Sequence, residues 1–276
     1  MQNTEKTHVV DPISDHTHTV IFLHGRDSTA VEFAEELFES QASDDRTLSQ
    51  LFPNFKWVFP YSGLRNSTRF EMELSQWFDI WSVEEPEERK EIQLAGLKES
   101  IMFILDIIDR EATIVPPKQI ILGGISQGCA TAIHALMQCD VQLNGFIGFC
   151  GWLPFRNEIE AIIAEATNAS PLQKIQSLFN SEYGNSYTPV SRQLYRKSAS
   201  PLATPVFLSH AIDDCLVPIS NGEKLYQELN LLGMPVTWKA YRDGGHWINE
   251  PQGVDDMVAF LQNITTFKYK SLQFET

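Results

Sequence analysis

No stretch of the 276-residue sequence approaches the roughly 18 consecutive apolar residues that a membrane-spanning helix needs, so membrane insertion is not expected. Basic residues are scarce: 21 Lys and Arg stand against 36 Asp and Glu, a formal net charge of −15. Such a chain repels phosphate backbones and anionic headgroups at long range, and nucleic acid is not expected as a partner. Cysteine is sparse too. Cys129, Cys139, Cys150 and Cys215 form no C-x-x-C pair and are expected to be free thiols of a reducing compartment. H-E-x-x-H is missing, as is any His and carboxylate cluster of ligand spacing, so neither a metal nor a cofactor is expected. The polar stretch from Met1 to His18 lacks the basic-then-apolar layout of a secretory signal, which points to a soluble, cytoplasmic protein. On that ground the N-x-S/T strings at Asn66, Asn168 and Asn263 are expected to be chance matches. Internal repeats and low-complexity tracts are absent as well.

What is present is a rhythm. Apolar, β-branched or aromatic runs recur at Thr19 to Leu23, Phe55 to Phe59, Gln119 to Leu122, Leu143 to Phe149, Pro205 to Leu208 and Val236 to Tyr241. Helical patterns separate them. The clearest places Leu94, Leu97, Ile101, Ile104, Leu105 and Ile108 at spacings of three and four before Pro116-Pro117, and others run over 221–232 and 254–261. Strands alternating with helices imply a mostly parallel sheet with helices on both faces, in a single domain over 1–276. From about Phe155 to Pro201 the chain leaves this register, with helical patterns at Glu158 to Glu165 and Leu172 to Phe179. This stretch, 155–201, is expected to be a helical insertion before the strand that follows. Its apolar face is expected to lie at the mouth of the active site, as a candidate lid. The charge run Glu84 to Glu91 reads as a solvated loop and helix start.

Three motifs carry chemistry. Gly124-Ile125-Ser126-Gln127-Gly128 follows an apolar strand and precedes a helical stretch, the setting of a nucleophile elbow. There the two glycines permit a tight turn that projects the Ser126 hydroxyl, and the main-chain N–H of Gln127 can face the oxyanion. Downstream, His210 to Pro218 carries the adjacent acids Asp213 and Asp214, and Gly244-Gly245-His246 supplies a base on a flexible turn. Either acid could orient His246. The order Ser, Asp, His is that of α/β hydrolases. The other histidines read as structural: His8, His16 and His18 in the polar start, His134 in mid-helix, and His24 and His210 shaping loops at strand ends. After the strand Thr19 to Leu23, the His24-Gly25-Arg26 turn stands where hydrolases of this fold place the second oxyanion donor, here the N–H of Arg26. Trp77, Phe78 and Trp152 are candidate apolar walls of a substrate pocket.

The chain resembles the phospholipase/carboxylesterase family, which includes the acyl-protein thioesterases. The resemblance rests on Val20 to Gly25, Trp77-Phe78-Asp79-Ile80, Ile120 to Gly128, Trp152-Leu153-Pro154 and His210 to Pro218. It implies an α/β-hydrolase fold and a metal-free serine hydrolase of carboxylic esters or thioesters, acting on a small-molecule or acylated-protein substrate. In the family's H-G-x-x-D-x-x-V-P pattern the acid stands four after the histidine, which places it on Asp214. Asp27, Ala211 and Cys129 depart from small residues common in the family, and the long insertion departs most. Ser126, His246 and Asp214 are thus expected as nucleophile, base and acid, with an acyl-enzyme released by water. Two other readings stay open: an esterase or lactonase for a bulky metabolite with the insertion as its cap, and a silent binding protein that keeps the fold.

Overall fold

The computed structural model of the chain describes residues 6–165, 170–179 and 199–271, with the side chains of the last helix described to 265. Seven strands form the central sheet: β1 (Thr7–Val10), β2 (His18–Leu23), β3 (Phe55–Pro60), β6 (Ile120–Ile125), β7 (Gly145–Phe149), β8 (Val206–Ala211) and β9 (Val236–Tyr241). Their order is β1-β3-β2-β6-β7-β8-β9, and only β1 pairs antiparallel. A separate hairpin joins β4 (Leu64–Ser67) and β5 (Met72–Ser75).

Strand β2, the run His-Thr-Val-Ile-Phe-Leu, is buried at every position. Such continuous burial is what a parallel strand covered on both faces requires. Its side chains divide by the strand period of two. Ile21 and Leu23 join the core cluster on one face, and Val20 and Phe22 join the cluster on the other. The first face is covered by α3 (Gln93–Glu111), α4 (Gln127–Gln138), α5 (Arg156–Ala164), α6 (Pro171–Phe179) and α7 (Ile219–Leu231). The second is covered by α1 (Ala30–Glu39), the short α2 (Leu48–Leu51) and α8 (Gln252–Ser271). The expected parallel sheet with helices on both faces is therefore observed.

The insertion is packed differently from the expectation. Ile159 of α5 and Leu172, Ile175 and Phe179 of α6 join the core cluster of α3, α4 and α7. Phe179 lies 4.4 Å from the ring of His134 on α4, and Gln176 donates to Met137 O at 2.9 Å. The apolar face of α6 thus covers α4, whose small residues leave a buried surface that needs a roof, and α5 packs against α6 and α7, so neither helix lies at the site mouth. The rest of 155–201, at 166–169 and 180–198, lies outside the described residues. The charge run is also more than a solvated loop. Asn221 donates to the carbonyls of Val83 and Glu84, and Lys90 bridges Glu87 and Glu158 of α5, which straps this segment across α5 and α7.

Two buried histidines make stability depend on pH. His24 is fully buried, and since its Nε2 accepts from Ser62 N–H, its Nδ1–H donates to Gly25 O at 2.6 Å. His134 is equally buried beside Pro154 O, 3.0 Å from its Nε2. Burial lowers both to about 4 from 6.5. Between those values the unfolded chain takes up protons that the folded chain refuses. Their contribution is therefore complete above about 6.5 and is lost as pH falls toward about 4. Urea unfolding from pH 7.5 to 4.5 is expected to show this decline, and His134→Gln is expected to flatten it by up to about 1.4 kcal/mol per pH unit. An unchanged slope in that variant would remove His134 as a source.

Candidate active site

Arg26, Ser126, Asp214 and His246 each stand in a turn or loop that follows the carboxyl end of a central-sheet strand. Ser126 occupies the turn from β6 to α4 with φ 56° and ψ −125°, a conformation that side-chain-bearing residues rarely hold. The turn is anchored by the Ser126 N–H, which donates to Phe149 O at 2.8 Å. Close approach explains the two glycines of the motif. A Cβ on Gly124 would lie 2.6 Å from the Gly128 carbonyl carbon, and one on Gly128 would lie 2.4 Å from the carbonyl oxygens of Leu23 and His24. The start of α4 therefore rests directly on the end of β2. Cys129 follows from the same crowding. Its Sγ fills space left by Gly148 and Gly151, where an added Cβ would come within 2.6 and 2.4 Å of it. Burial pushes this thiol up to about 12, so it is inert.

Asp214 lies in the loop after β8, buried, and is the carboxylate that meets His246. Its Oδ2 accepts from His246 Nδ1 at 2.7 Å and lies 3.0 Å from His210 Nε2, while Oδ1 accepts from the N–H groups of Leu216 and Val217, each at 2.9 Å. Burial opposes its charge, but the bonds from His210, His246 and Val217 outweigh burial and hold the carboxyl well below the usual carboxylate range. Asp213 does a different job: its Oδ1 accepts from Gly245 N–H at 2.9 Å and so pins the turn that carries His246. His210, read from the sequence as a loop-shaping residue, is a buried partner of the acid. Its Nε2 faces both Asp214 Oδ2 and Val217 O, so that nitrogen carries the proton. The i, i+4 spacing of His210 and Asp214 was the available signal. Cys150, also buried, has its sulfur within 4.8 Å of ligand atoms of Asp214 and His246. Burial and then the charge of Asp214 raise its thiol, which opposes the thiolate that metal binding needs.

The turn after β2 lies against the serine. An added Cβ on Gly25 would sit 3.5 Å from Ser126 Cβ. Asp27, at φ 66°, fills the left-handed position for which glycine is the easier choice, and its N–H is held by Ser75 O at 2.8 Å. Trp77 and Phe78 do not line a pocket; both are fully buried. Trp77 Nε1–H donates to His24 O at 2.8 Å, while the Gln127 side chain accepts from Trp77 N–H at 2.8 Å and donates to Phe78 O at 2.7 Å. These aromatic residues brace the two turns that carry Arg26 and Gln127, since their polar atoms find partners only in that interior. Trp152 does reach the cavity. Ser126, His246, Arg26, Gln127 and Trp152 line one cavity of about 330 Å³, together with Val83, Leu216, Val217, Phe33, Glu36 and Trp247. Val83 and Leu216 were not expected there; they belong to a strap and a loop whose course only tertiary contacts define.

The sequence profile of the phospholipase/carboxylesterase family matches residues 4–177, and that of the prolyl oligopeptidase family matches residues 105–267. Acyl-protein thioesterase 1 of Gibberella zeae is 27% identical over 253 residues, covering 90% of this chain and 91% of its own. Acyl-protein thioesterase 1 of Aspergillus fumigatus is 23% identical over 270 residues, covering 93% and 92%. The fold is shared with the crystal structure of Zea mays acyl-protein thioesterase 2, with a TM-score of 0.67 and 23% identity over 94% of this chain and 98% of that one. With a nucleophile-elbow string on a parallel sheet, and a profile match over residues 4–177, the chain belongs to the phospholipase/carboxylesterase family of α/β hydrolases and is a serine hydrolase of the esterase and thioesterase type.

Proposed function

We propose that Ser126 attacks the acyl carbon of a carboxylic ester or thioester, with His246 as base, Asp214 as acid and the N–H groups of Arg26 and Gln127 as oxyanion donors. The observation that carries this reading is the 2.7 Å bond between Asp214 and His246 Nδ1, in a cavity that also exposes the strained Ser126. An ionised carboxylate only accepts, so Nδ1 holds the hydrogen and Nε2 is left with a lone pair. Nε2 takes the serine proton as the tetrahedral intermediate forms, then returns it to the departing alcohol or thiol. Water repeats the cycle on the acyl-enzyme and releases the acid.

The substrates in this reading are acylated proteins or small acyl esters, as the names of the thioesterase relatives suggest. Val83, Trp152, Leu216 and Val217 form an apolar end of the cavity suited to an acyl chain. In this reading 1–276 is a single catalytic domain, supported by the two core clusters of described residues that pack on one sheet. Among the described residues no helix is long and apolar enough to cross a membrane, and the four cysteines are free, which supports a cytoplasmic setting. A dedicated lactonase cap draws no support from α5 and α6, since no described residue of either lines the cavity.

A fluorophosphonate probe tests this directly. It is expected to label the folded protein at one residue, Ser126, as read by peptide mass. Folded protein that stays unlabelled, or that is labelled elsewhere, would overturn the assignment.

A further inference from the structure

We propose that the cavity holds, opposite its acyl end, a subsite for an alkylammonium group of the leaving group, built from Glu36, Phe33 and Trp247. The proposal rests on the catalytic reading above and names the substrate class it favours.

The two ends of the cavity belong to opposite faces of the sheet. Val83, Trp152 and Val217 pack with the core cluster of α3 to α7, whereas Phe33 and Trp247 pack with the cluster under α1 and α8. The second end is organised by one stripe of α1. Phe33 and Glu36 stand three residues apart on α1, and Ser40, the residue that caps its C-terminus, follows four further on. Trp247 lies along that stripe: its ring sits 6.0 Å from Phe33, edge to face, and its Nε1–H donates to Ser40 Oγ at 3.3 Å. A tryptophan so fixed, next in sequence to His246, places an aromatic ring in the wall of the cavity that also holds Ser126.

Charge then selects the occupant. Arg26 and Asp27 also line the cavity but pair with each other at 3.5 Å. Glu36 lines the cavity at an exposed position and makes no hydrogen bond or ion pair among the described residues, so no protein cation balances its carboxylate there. An acyl chain laid against it would gain nothing from the carboxylate and would strip its water. An ammonium gains twice, from the carboxylate and from the aromatic face. The net charge of −15 further favours encounter with cations. Two sources share this chemistry: a choline-like alcohol or thiol, and a lysine side chain beside an S-acylated cysteine.

Two pairs, each differing in the cationic group, separate them: butyrylthiocholine against the isosteric thiobutyrate ester of 3,3-dimethylbutanethiol, and an S-butyryl Cys-Lys peptide against its uncharged ε-acetyl-lysine form. The cationic member of at least one pair is expected to show about tenfold higher kcat/KM. Preference in the first pair alone assigns the choline-like source, and in the second alone the lysine. Glu36→Gln is expected to bring the ratio to about one, whereas Glu35→Gln, the same charge change one residue away on α1 and outside the cavity lining, is expected to keep it. A wild-type ratio near one, or equal loss in both variants, would overturn the subsite. Independently of turnover, tetramethylammonium is expected to shift the Trp247 indole N–H resonance saturably, and not in Glu36→Gln. A saturable shift without any hydrolysis would leave the subsite standing and remove the catalytic reading; hydrolysis without a shift or preference would do the reverse.

Discussion

Ser126→Ala is expected to lower turnover of a short-chain aryl ester by about four to six orders of magnitude while the thermal midpoint stays near that of the native protein. The size follows from what the side chain does. In the proposed reaction its oxygen forms the bond to the acyl carbon, and the buried thiols nearby are poor replacements: Cys129 is inert, and Cys150, beside Asp214 and His246, has its thiol pushed up. The fold survives because the hydroxyl makes no hydrogen bond that holds the elbow. The anchor there is the backbone bond to Phe149, and alanine carries the same Cβ into the same turn. His246→Ala is expected to cost a similar factor, since both residues act in one transition state. The double variant is then expected to lose little more than either alone. Multiplied losses would mean that Ser126 and His246 work in separate steps, and near-native turnover in Ser126→Ala would place the nucleophile elsewhere.

The sequence exposed those parts of the molecule that are local. Strands β2, β3, β6, β7, β8 and β9 are apolar runs bounded by turns, and the stripe of α3 has a clean helical period, so composition and spacing suffice to place them. Gly124 and Gly128 are legible because close backbone approach admits only one residue type. Helix α1 was not singled out, although Thr29 and Glu32 form a capping box, with Thr29 Oγ1 accepting from Glu32 N–H and the Glu32 carboxylate accepting in return. That box was the available signal. Other features had none. Trp77 and Phe78 look like pocket walls in sequence because aromatic residues serve walls and cores alike; only the bonds to His24 and Gln127 decide. The apolar stripes of α5 and α6 announce that they must be buried, but not against what. The charged strap at 82–92 conceals Val83, whose place in the cavity depends on Asn221, well over a hundred residues away.

Asp214→Asn is expected to reduce kcat by about four orders of magnitude, against a loss within about tenfold for Asp213→Asn. The two substitutions are chemically identical and one residue apart, so the contrast isolates geometry. In Asp214→Asn the amide oxygen keeps the N–H groups of Leu216 and Val217, which fixes its orientation and turns the NH₂ toward His246 Nδ1 and His210 Nε2. Two donors then face each other at His246. The imidazole answers by moving its hydrogen from Nδ1 to Nε2, and Nε2, the base of the proposed reaction, loses the lone pair that would accept the serine proton. Stabilisation of the imidazolium by the Asp214 charge is lost at the same time. Asp213→Asn changes neither, because an amide oxygen accepts from Gly245 N–H as a carboxylate does, and the turn that carries His246 stays pinned. The two variants also differ in the quantity that moves: Asp214→Asn is expected to act on kcat with little change in KM, since the acid touches no substrate. Comparable losses in both variants would show that the loop as a whole, and not one carboxylate, orients His246; a larger loss at Asp213 would move the acid to that position.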